Sequence, residues 1–322
     1  MNSKISAIGV YTPENVIPNT WFENIINTND EWIQSRTGIK ERRVASKYEY
    51  TSELAVKAVQ NLLKENHGTS LEGIDFIIVA TTTADQIMPN TASQVQHKLN
   101  ITNAGCIDVM AACAGFVYAM ILAKGLIAAK THKKILVIGA ETLSKFTDYT
   151  DRSSCILFGD GAGVVLIEPS SDAKIFNGIT GTDGSHGKDL YLSHGNSIIN
   201  NEEIIANGKI HQNGKVVFKW AVQNMVFKVK ELLERNNLKL GDLDWLILHS
   251  ANMRIIEAVA AALDYPLSKM LTSIEQYGNT SAASIPIAWD LGIKAGKVKK
   301  GNKLLLLGFG GGLTFAGIII EV

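Results

Sequence analysis

The fold is decided by the stretch DVMAACAGFVYAM, residues 108–120. Residues 104–109 form a short apolar run of strand length, and residues 114–129 are rich in Ala, Leu, Ile and Met, which predicts a helix. Cys113 therefore lies at a strand-to-helix junction. The first N–H groups of a helix lack intrahelical partners and carry the positive end of its dipole, so a thiolate is favoured there. A structural role for Cys113 stays open at this point, because free cysteine is among the most buried residue types.

The composition is that of a folded globular protein. The chain of 322 residues is 46% hydrophobic and 19% charged and holds only 6 prolines, which excludes a disordered chain. Its length favours two domains or one large α/β unit. Lys and Arg together number 31, as do Asp and Glu, so no overall electrostatic field attracts nucleic acid or an anionic membrane.

Neither a membrane span nor a secretory leader is expected. The longest uncharged apolar segment, residues 109–123, is shorter than the roughly 20 residues that cross a bilayer. The three cysteines, Cys106, Cys113 and Cys155, form no CxxC pair, which indicates reduced thiols and no metal site. We therefore expect a cytoplasmic protein.

Predicted strands and helices alternate along the chain, which indicates α/β layers. The strands are predicted at 4–10, 76–81, 104–109, 134–140, 245–249, 303–309 and 313–321. The helical segments are predicted at 52–66, 91–99, 114–129, 218–236, 254–263 and 279–295. The second half repeats the order of the first, which suggests a duplicated unit with halves at 1–170 and 171–322. Residues 168–216 are polar and dotted with glycine, and we expect a linker or cap there.

A glycine-rich segment, FGDGAGVVL at 158–166, has the G-x-G-x-G pattern of a phosphate cradle. A dinucleotide-binding loop follows a strand and opens a helix, whereas this segment enters a β run. We therefore interpret its glycines as sites of close backbone packing.

Two more polar residues stand at element junctions. His249 ends an apolar strand, where side chains reach the crevice at the carboxyl edge of a sheet, and Asn279 lies at a glycine turn before a helix. Taken singly, His249 could be a satisfied core histidine and Asn279 a helix cap. With Cys113 they permit two chemistries: a Cys-His-Asn hydrolase of thioesters or peptides, or a condensing enzyme whose His and Asn stabilise an enolate. The spacing of the three residues does not decide between them.

Six ordered motifs resemble those of the 3-oxoacyl-[acyl-carrier-protein] synthase III family, and they run nearly from end to end. They are EWI at 31–33 with SRTGI at 35–39 and ERR at 41–43, AACAG at 111–115, TDR at 150–152 with LFGDGAG at 157–163, His249 with Ala251, Asn252 and Arg254, YGNTS at 277–281, and GFGGGLT at 308–314.

The resemblance implies a thiolase-like α/β fold of two similar α/β/α/β/α halves and a homodimer. It implies that Cys113 accepts a short acyl group, acetyl or branched, from acyl-CoA. His249 and Asn279 then promote decarboxylation of malonyl-[acyl-carrier protein], whose carbanion attacks the acyl-cysteine. The products are a 3-oxoacyl-[acyl-carrier protein], carbon dioxide and CoA, and the reaction initiates fatty-acid synthesis. A family member that serves a specialised metabolite, or the hydrolase, is the alternative.

The resemblance also assigns binding residues. The oxyanion hole falls on the backbone N–H groups of Cys113 and Gly311. The CoA residues are Trp32 and Arg152, which flank the adenine, Arg36 and Thr37 at the same mouth, and Gly214 and Asn252 along the pantetheine path. CoA enters as part of a substrate, and no separate cofactor or metal is implied.

The carrier-protein surface and the acyl pocket depart from many relatives. The predicted carrier-protein contacts are Ser250, Ala251, Asn252, Met253, Arg254 and Lys219. Many relatives carry lysines where this chain has Ala261 and Ala262, and Glu257 dilutes the charge of Arg254. Met88 is predicted at the far end of the acyl pocket, reaching across the dimer, where an aromatic residue is common; a flexible thioether leaves room that a ring would fill.

Overall fold

The computed structural model of the chain describes residues 1–172 and 174–322. The strands are β1 (Asn2–Tyr11), β2 (Val16–Pro18), β3 (Glu41–Arg43), β4 (Phe76–Ala80), β5 (Gly105–Val109), β6 (Ile135–Thr142), β7 (Asp160–Ser170), β8 (Ile179–Thr182), β9 (Leu190–Leu192), β10 (Ile198–Ile199), β11 (Glu202–Glu203), β12 (Ile210–Gln212), β13 (Trp245–Leu248), β14 (Lys303–Gly310) and β15 (Thr314–Glu321). The helices are α1 (Asn19–Phe22), α2 (Asp30–Thr37), α3 (Thr51–Glu65), α4 (Thr91–Lys98), α5 (Gly115–Ala128), α6 (Gly214–Arg235), α7 (Met253–Leu263), α8 (Ile274–Tyr277) and α9 (Ser284–Lys294).

Two mixed sheets form the frame of the molecule. The first has the strand order β1-β7-β6-β4-β5, and the second has the order β13-β14-β15-β8. Strands β4, β5 and β6 run parallel, as do β13 and β14, whereas β7 and β15 pair antiparallel with their neighbours. Strands β4, β6, β13 and β14 are mostly apolar and buried, as expected for strands covered on both faces.

Helices α5 and α9 lie between the two sheets. They contribute Phe116, Met120, Ile285 and Trp289 to a core whose other members come from both sheets. Helices α3 and α4 cover the outer face of the first sheet, and α6 and α7 cover the outer face of the second. The five layers are therefore α/β/α/β/α, which confirms the predicted thiolase-like fold class.

The second half follows the topology of the first. The first half runs β1, α3, β4, α4, β5, α5, β6, β7, and the second runs β8, α6, β13, α7, α9, β14, β15. Where β5 would recur, Met270 forms an isolated parallel bridge to Leu246 of β13. The division predicted after residue 170 falls where β7 ends, and it stays an interpretation because α5 and α9 pack together in one shared layer.

The prediction of a linker or cap across 168–216 is wrong at both ends. Strand β7 continues to Ser170, and β8 pairs with β15 as the edge strand of the second sheet. Its sequence, ITGT, lacks the apolar run that marks an inner strand. Helix α6 begins at Gly214 because the Asn213 side chain accepts a hydrogen bond from the backbone N–H of Val216. Within residues 168–216, the predicted cap is therefore limited to the short strands β9 to β12 and their connections.

Strands β14 and β6 each contain a glycine whose missing side chain leaves room for a turn of the other half. A Cβ on Gly308 of β14 would lie 2.7 Å from Cα of Ala114, in the turn that opens α5. A Cβ on Gly139 of β6 would lie 2.5 Å from the carbonyl oxygen of Ala282, in the turn that opens α9. Because both obstacles are backbone atoms, any side chain at these positions would push the two halves apart.

Among the described residues, no helix combines the length and the apolarity needed to cross a membrane.

We expect Gly308→Ala to lower the free energy of unfolding by about 1–3 kcal/mol, because the added methyl group meets backbone that cannot rotate away. The control is Gly125→Ala, since Gly125 is exposed in α5 and a methyl group added there would meet no neighbouring atom within 4 Å. That change should stabilise the helix by up to about 1 kcal/mol. Urea unfolding of both variants measures the difference, and equal stabilities would contradict the close contact.

Candidate active site

A cavity of about 770 Å³ opens between the two halves. It is lined by Cys113, His249 and Asn279 together, so the structure brings the three junction residues to one place. Other predicted site residues also line it, namely Trp32, Arg36, Thr37, Gly214, Ala251, Asn252, Arg254 and Gly311. Five further predicted residues, Met88, Arg152, Lys219, Ser250 and Met253, are not part of its wall.

Cys113 lies in a 3-10 turn, Ala112–Ala114, that leads into α5. The preceding residue, Ala112, is left-handed with φ of 46°, a conformation that alanine seldom adopts. Burial raises the pKa of the thiol to about 12, and hydrogen bonds to the sulfur from Ser281 and from the backbone oppose this only in part. Desolvation therefore outweighs the expected preference for thiolate at a helix start, and Cys113 rests as a neutral thiol.

His249 follows β13 and is fully enclosed. Its Nδ1 lies 2.7 Å from Oγ of Ser284, and the backbone N–H of Ser250 donates to the same oxygen at 3.4 Å. Among the described residues the Ser284 hydroxyl has no acceptor other than Nδ1, so it donates its proton there. The proton of the imidazole is then on Nε2.

Burial also fixes the charge of His249. It lowers the pKa of the imidazole to about 3, so the ring is neutral at physiological pH. The ring of Phe309 contacts it edge to face, with centroids 5.2 Å apart. His249 is therefore a neutral N–H donor, and it is a poor base.

Asn279 is oriented by the turn that follows it. Its Oδ1 accepts a hydrogen bond from the backbone N–H of Ser281 at 2.9 Å, which leaves Nδ2 as the donor that faces the cavity. The backbone of Asn279 pairs with the glycine-rich segment, since its N–H donates to Leu157 and its carbonyl accepts from Gly159. A Cβ on Gly159 would lie 2.1 Å from the carbonyl oxygen of Tyr277. The predicted close backbone packing of the glycine-rich segment is confirmed.

The predicted oxyanion residues, Cys113 and Gly311, line the same cavity. Gly310 is the last residue of β14, and Gly311 follows it at the cavity wall. A Cβ on Gly310 would lie 2.6 Å from the backbone nitrogen of Cys113. The bare glycine backbone thus leaves space around the sulfur for a substrate carbonyl. The role of the Cys113 and Gly311 N–H groups stays a prediction.

Five of the six predicted CoA residues line the cavity, and Arg36 and Gly214 are exposed at its mouth. The guanidinium of Arg152 lies directly over the indole of Trp32, 4.0 Å from the ring centroid. A purine can enter between them only when the guanidinium moves away. Asn252 caps α7 and donates to the carbonyl of Arg36 at 3.1 Å, and the Thr37 hydroxyl bonds Ile33 and Ile39 within its own turn.

The predicted carrier-protein residues divide by exposure. Arg254 and Lys219 are exposed beside the mouth, and Arg254 lies 6.0 Å from the ring of Phe218. Ser250 is fully buried and pairs with Thr272, so its side chain supports the loop and is not available to a carrier protein.

Met88 is 86% exposed in the single chain and does not reach the cavity. Its predicted place in the acyl pocket therefore requires a second chain and stays a prediction.

Sequence reasoning missed three polar residues around the trio. Ser281 and Ser284 belong to the turn after Asn279, and their small hydroxyl side chains carry no spacing signal. Glu141 is fully buried in β6, and a carboxylate inside an otherwise apolar strand was a visible signal. In the described part of the chain no cluster of His, Cys, Asp or Glu could hold a metal ion.

Comparisons with known proteins agree with this geometry. A family model of 3-oxoacyl-[acyl-carrier-protein] synthase III matches residues 107–184, and a model of the C-terminal part of that family matches residues 233–322. Beta-ketoacyl-[acyl-carrier-protein] synthase III 2 of Bacillus anthracis is 49% identical over 324 residues, covering 100% of this chain and 99% of the relative.

Solved structures of this family also superpose closely on the chain. A beta-ketoacyl-[acyl carrier protein] synthase III from Thermus thermophilus superposes with a TM-score of 0.96 at 40% identity, covering 99% of each chain. The 3-oxoacyl-[acyl-carrier-protein] synthase III from Aquifex aeolicus superposes with a TM-score of 0.92 at 41% identity, covering 100% of each chain. The chain therefore belongs to the 3-oxoacyl-[acyl-carrier-protein] synthase III family.

Proposed function

We propose that this protein initiates fatty-acid synthesis by condensing a short acyl-CoA with malonyl-[acyl-carrier protein] through an acyl-cysteine. One observation carries the proposal: a buried thiol shares its cavity with two neutral hydrogen-bond donors, Nε2–H of His249 and Nδ2–H of Asn279. Neutral donors suit an enolate, because its charge appears only as carbon dioxide leaves. A hydrolase of the Cys-His-Asn type would need a basic imidazole, which burial denies to His249 by lowering its pKa to about 3.

The proposed reaction has two halves. In the first, Cys113 attacks the acyl thioester and CoA leaves through the mouth at Trp32. In the second, the malonyl thioester carbonyl accepts hydrogen bonds from His249 and Asn279 while its carboxylate departs. The resulting carbanion attacks the acyl-cysteine and releases the 3-oxoacyl product.

Carrier binding and assembly belong to the same proposal. Arg254 and Lys219 offer the acidic carrier protein a modest basic surface. Strand β5 is an edge strand of the first sheet, and Ile107 and Met110 near it are 44% and 79% exposed. Because an unpaired apolar edge favours pairing with another chain, we propose a homodimer across β5. A cytoplasmic location stays a prediction from the free cysteines.

The two half-reactions should respond differently to substitution of the trio. Cys113→Ala should abolish acylation and condensation together, because the thiol acts in both. His249→Ala and Asn279→Ala should retain acyl-enzyme formation but lose about 10²- to 10³-fold in decarboxylation, as when an oxyanion donor is removed. Mass spectrometry of the acylated protein and carbon dioxide release measure the two steps. Hydrolysis of acyl-CoA without carbon-carbon bond formation would refute the proposed function.

Ser284 should matter through the tautomer of His249. Ser284→Ala removes the proton donated to Nδ1, so the imidazole proton is no longer fixed on Nε2 and can reside on Nδ1 instead, and decarboxylation should fall on the order of 10-fold while acylation persists. The matched control is Ser273→Ala, because among the described residues the Ser273 hydroxyl bonds the backbone carbonyl of Ser284 and no other group. Carbon dioxide release from both variants provides the comparison. The tautomer assignment fails if the two variants decarboxylate at the same rate.

Met88 should set the accepted primer length if it closes the acyl pocket of a partner chain. Met88→Phe should narrow the range of accepted primers toward acetyl-CoA, because the ring fills the end of the pocket. Met88→Ala should let longer acyl chains bind, since each buried CH₂ adds about 0.8 kcal/mol of binding. A turnover panel of acetyl, isobutyryl, isovaleryl and longer acyl-CoA substrates measures this. An unchanged substrate profile in both variants would show that Met88 does not line the acyl pocket.

A further inference from the structure

Arg42, in the middle of the ERR motif, is a buried cation that the proposed reaction does not yet use. It lies in β3 and is only 1% exposed. Burial lowers the pKa of Arg42 to about 10, so the guanidinium is charged at neutral pH. It forms no ion pair with any described residue, and the adjacent Glu41 binds Arg43 instead. A buried charge without a counter-ion destabilises a folded protein, so the other contacts of Arg42 must offset that cost.

The guanidinium of Arg42 joins two separate segments of the chain. Nη1 donates to the carbonyl of Ile17 in β2 at 3.1 Å, and Nη2 donates to the carbonyl of Ile156 at 2.7 Å. The ring centroid of Phe22 lies 4.5 Å from Cζ of the same group. Hydrogen bonds from a charged donor are stronger than neutral ones, and the planar fork of arginine fixes their directions. Arg42 therefore anchors Ile156 to β2 and β3.

Ile156 begins the short segment to which Asn279 is paired. The N–H of Asn279 donates to the carbonyl of Leu157 at 2.8 Å. The N–H of Gly159 donates to the carbonyl of Asn279 at 3.0 Å. These two bonds form a parallel bridge between Phe158 and Asn279. A shift of this segment would therefore move the backbone of Asn279 with it.

The stem of Arg42 packs against two glycines of the same pairing. A Cβ on Gly159 would lie 3.1 Å from Cβ of Arg42, and a Cβ on Gly278 would lie 3.2 Å from the same atom. Gly278 directly precedes Asn279 and has φ of 63°, a conformation that glycine adopts without steric cost. One side chain thus contacts both the paired segment and the turn that carries Asn279.

The direction of the Asn279 side chain depends on where this turn lies. Its Oδ1 accepts from the N–H of Ser281, but that bond lies within the turn and moves with it. The far end of the turn rests on β6, because Ala282 packs against Gly139. The near end rests on the paired segment, which Arg42 anchors.

We infer that Arg42 is a positioning residue for Asn279 in the decarboxylation step. The inference deepens the proposed function and rests on it. Arg42 contacts no substrate, since it is not part of the wall of the active-site cavity. Its carbonyl bonds hold the segment that sets the position of the Asn279 amide, and hence the distance from Nδ2–H to the forming enolate oxygen. Because a donor stabilises developing charge only at the correct distance, a small displacement lowers the rate more than the binding.

The test replaces Arg42 by Met, which has a similar length but neither charge nor donor. Arg42→Met should lower kcat for carbon dioxide release from malonyl-[acyl-carrier protein] by about 10-fold or more, because the weakened interaction forms only in the transition state. KM for this substrate should not change. Acylation of Cys113 by acetyl-CoA should stay within about 2-fold of the wild type, since the thiol lies in the other turn. Mass spectrometry of the intact protein measures acylation.

A double-mutant cycle shows whether Arg42 acts through the amide of Asn279. In the Asn279→Ala background, Arg42→Met should change decarboxylation by less than about 2-fold, because the donor that Arg42 positions is already absent. A merely structural role would slow both half-reactions by the same factor, and its effect would multiply with that of Asn279→Ala. Either of these results would overturn the inference.

Arg43→Met is the matched control variant. Arg43 is the neighbouring arginine of β3, but its guanidinium pairs with Glu41 at 2.7 Å. Arg43→Met should keep both half-reactions within about 2-fold of the wild type, because a partly exposed ion pair contributes little. If Arg42→Met does not fold, as judged by thermal unfolding, Arg42→Lys decides the outcome. An ammonium keeps the charge without the planar fork, so decarboxylation alone should fall by about 5-fold. A wild-type rate in Arg42→Lys would then overturn the inference.

Hydrogen exchange separates this inference from the proposed function, because it needs no substrate. The N–H groups of Asn279 and Gly159 are both bonded in the pairing, so peptides that contain them should exchange faster in Arg42→Met than in the wild type or in Arg43→Met. Unchanged exchange in both peptides would overturn the positioning role of Arg42. Absence of condensation by the wild type would refute the proposed function, whereas the exchange rates would still decide whether Arg42 positions Asn279.

Discussion

The two halves of the molecule interlock through contacts that only glycine permits. Gly308 of β14 lies against the turn that opens α5, and Gly139 of β6 lies against the turn that opens α9. Because each contact joins one half's central strand to the other half's helix start, neither turn can move without moving the opposite sheet. Cys113 sits in the first turn, and Ser281 begins the second. The position of the nucleophile relative to its partners is therefore fixed by backbone packing.

Topology also relates these two turns to each other. In both halves a short 3-10 turn, begun by a residue with φ near 46–47°, leads directly into the central helix. Ala112 opens the turn in the first half and Ser281 opens it in the second. One turn carries the sulfur of Cys113, the equivalent turn carries the hydroxyl of Ser281, and both residues line the cavity. The duplicated fold thus supplies both the nucleophile and its neighbour from a single local conformation.

Much of this arrangement follows from sequence, and the remainder depends on long-range contacts. The strand-to-helix junction at Cys113, the strand before His249 and the turn at Asn279 were predictable because apolar periodicity and glycine mark them locally. Strand β8 was missed because an edge strand of Thr and Gly lacks an apolar run. The predicted preference for thiolate at Cys113 was wrong because burial depends on what folds over a residue, and the helix start gave no sign that desolvation would dominate. Ser284 and Glu141 escaped notice because they bond partners 35 to 140 positions away.

The stacked pair at the cavity mouth has a consequence for turnover. Arg152 covers Trp32 in the free protein, so at the predicted CoA site an arriving adenine would exchange one cation–π contact, worth about 0.5–1 kcal/mol at an exposed site, for contacts with both planes. The net gain from the nucleotide end is therefore smaller than the sum of its contacts. After acyl transfer the same guanidinium competes with the spent nucleotide for the indole. In the proposed reaction, Arg152 would thereby favour release of CoA and clear the path for the carrier-bound second substrate.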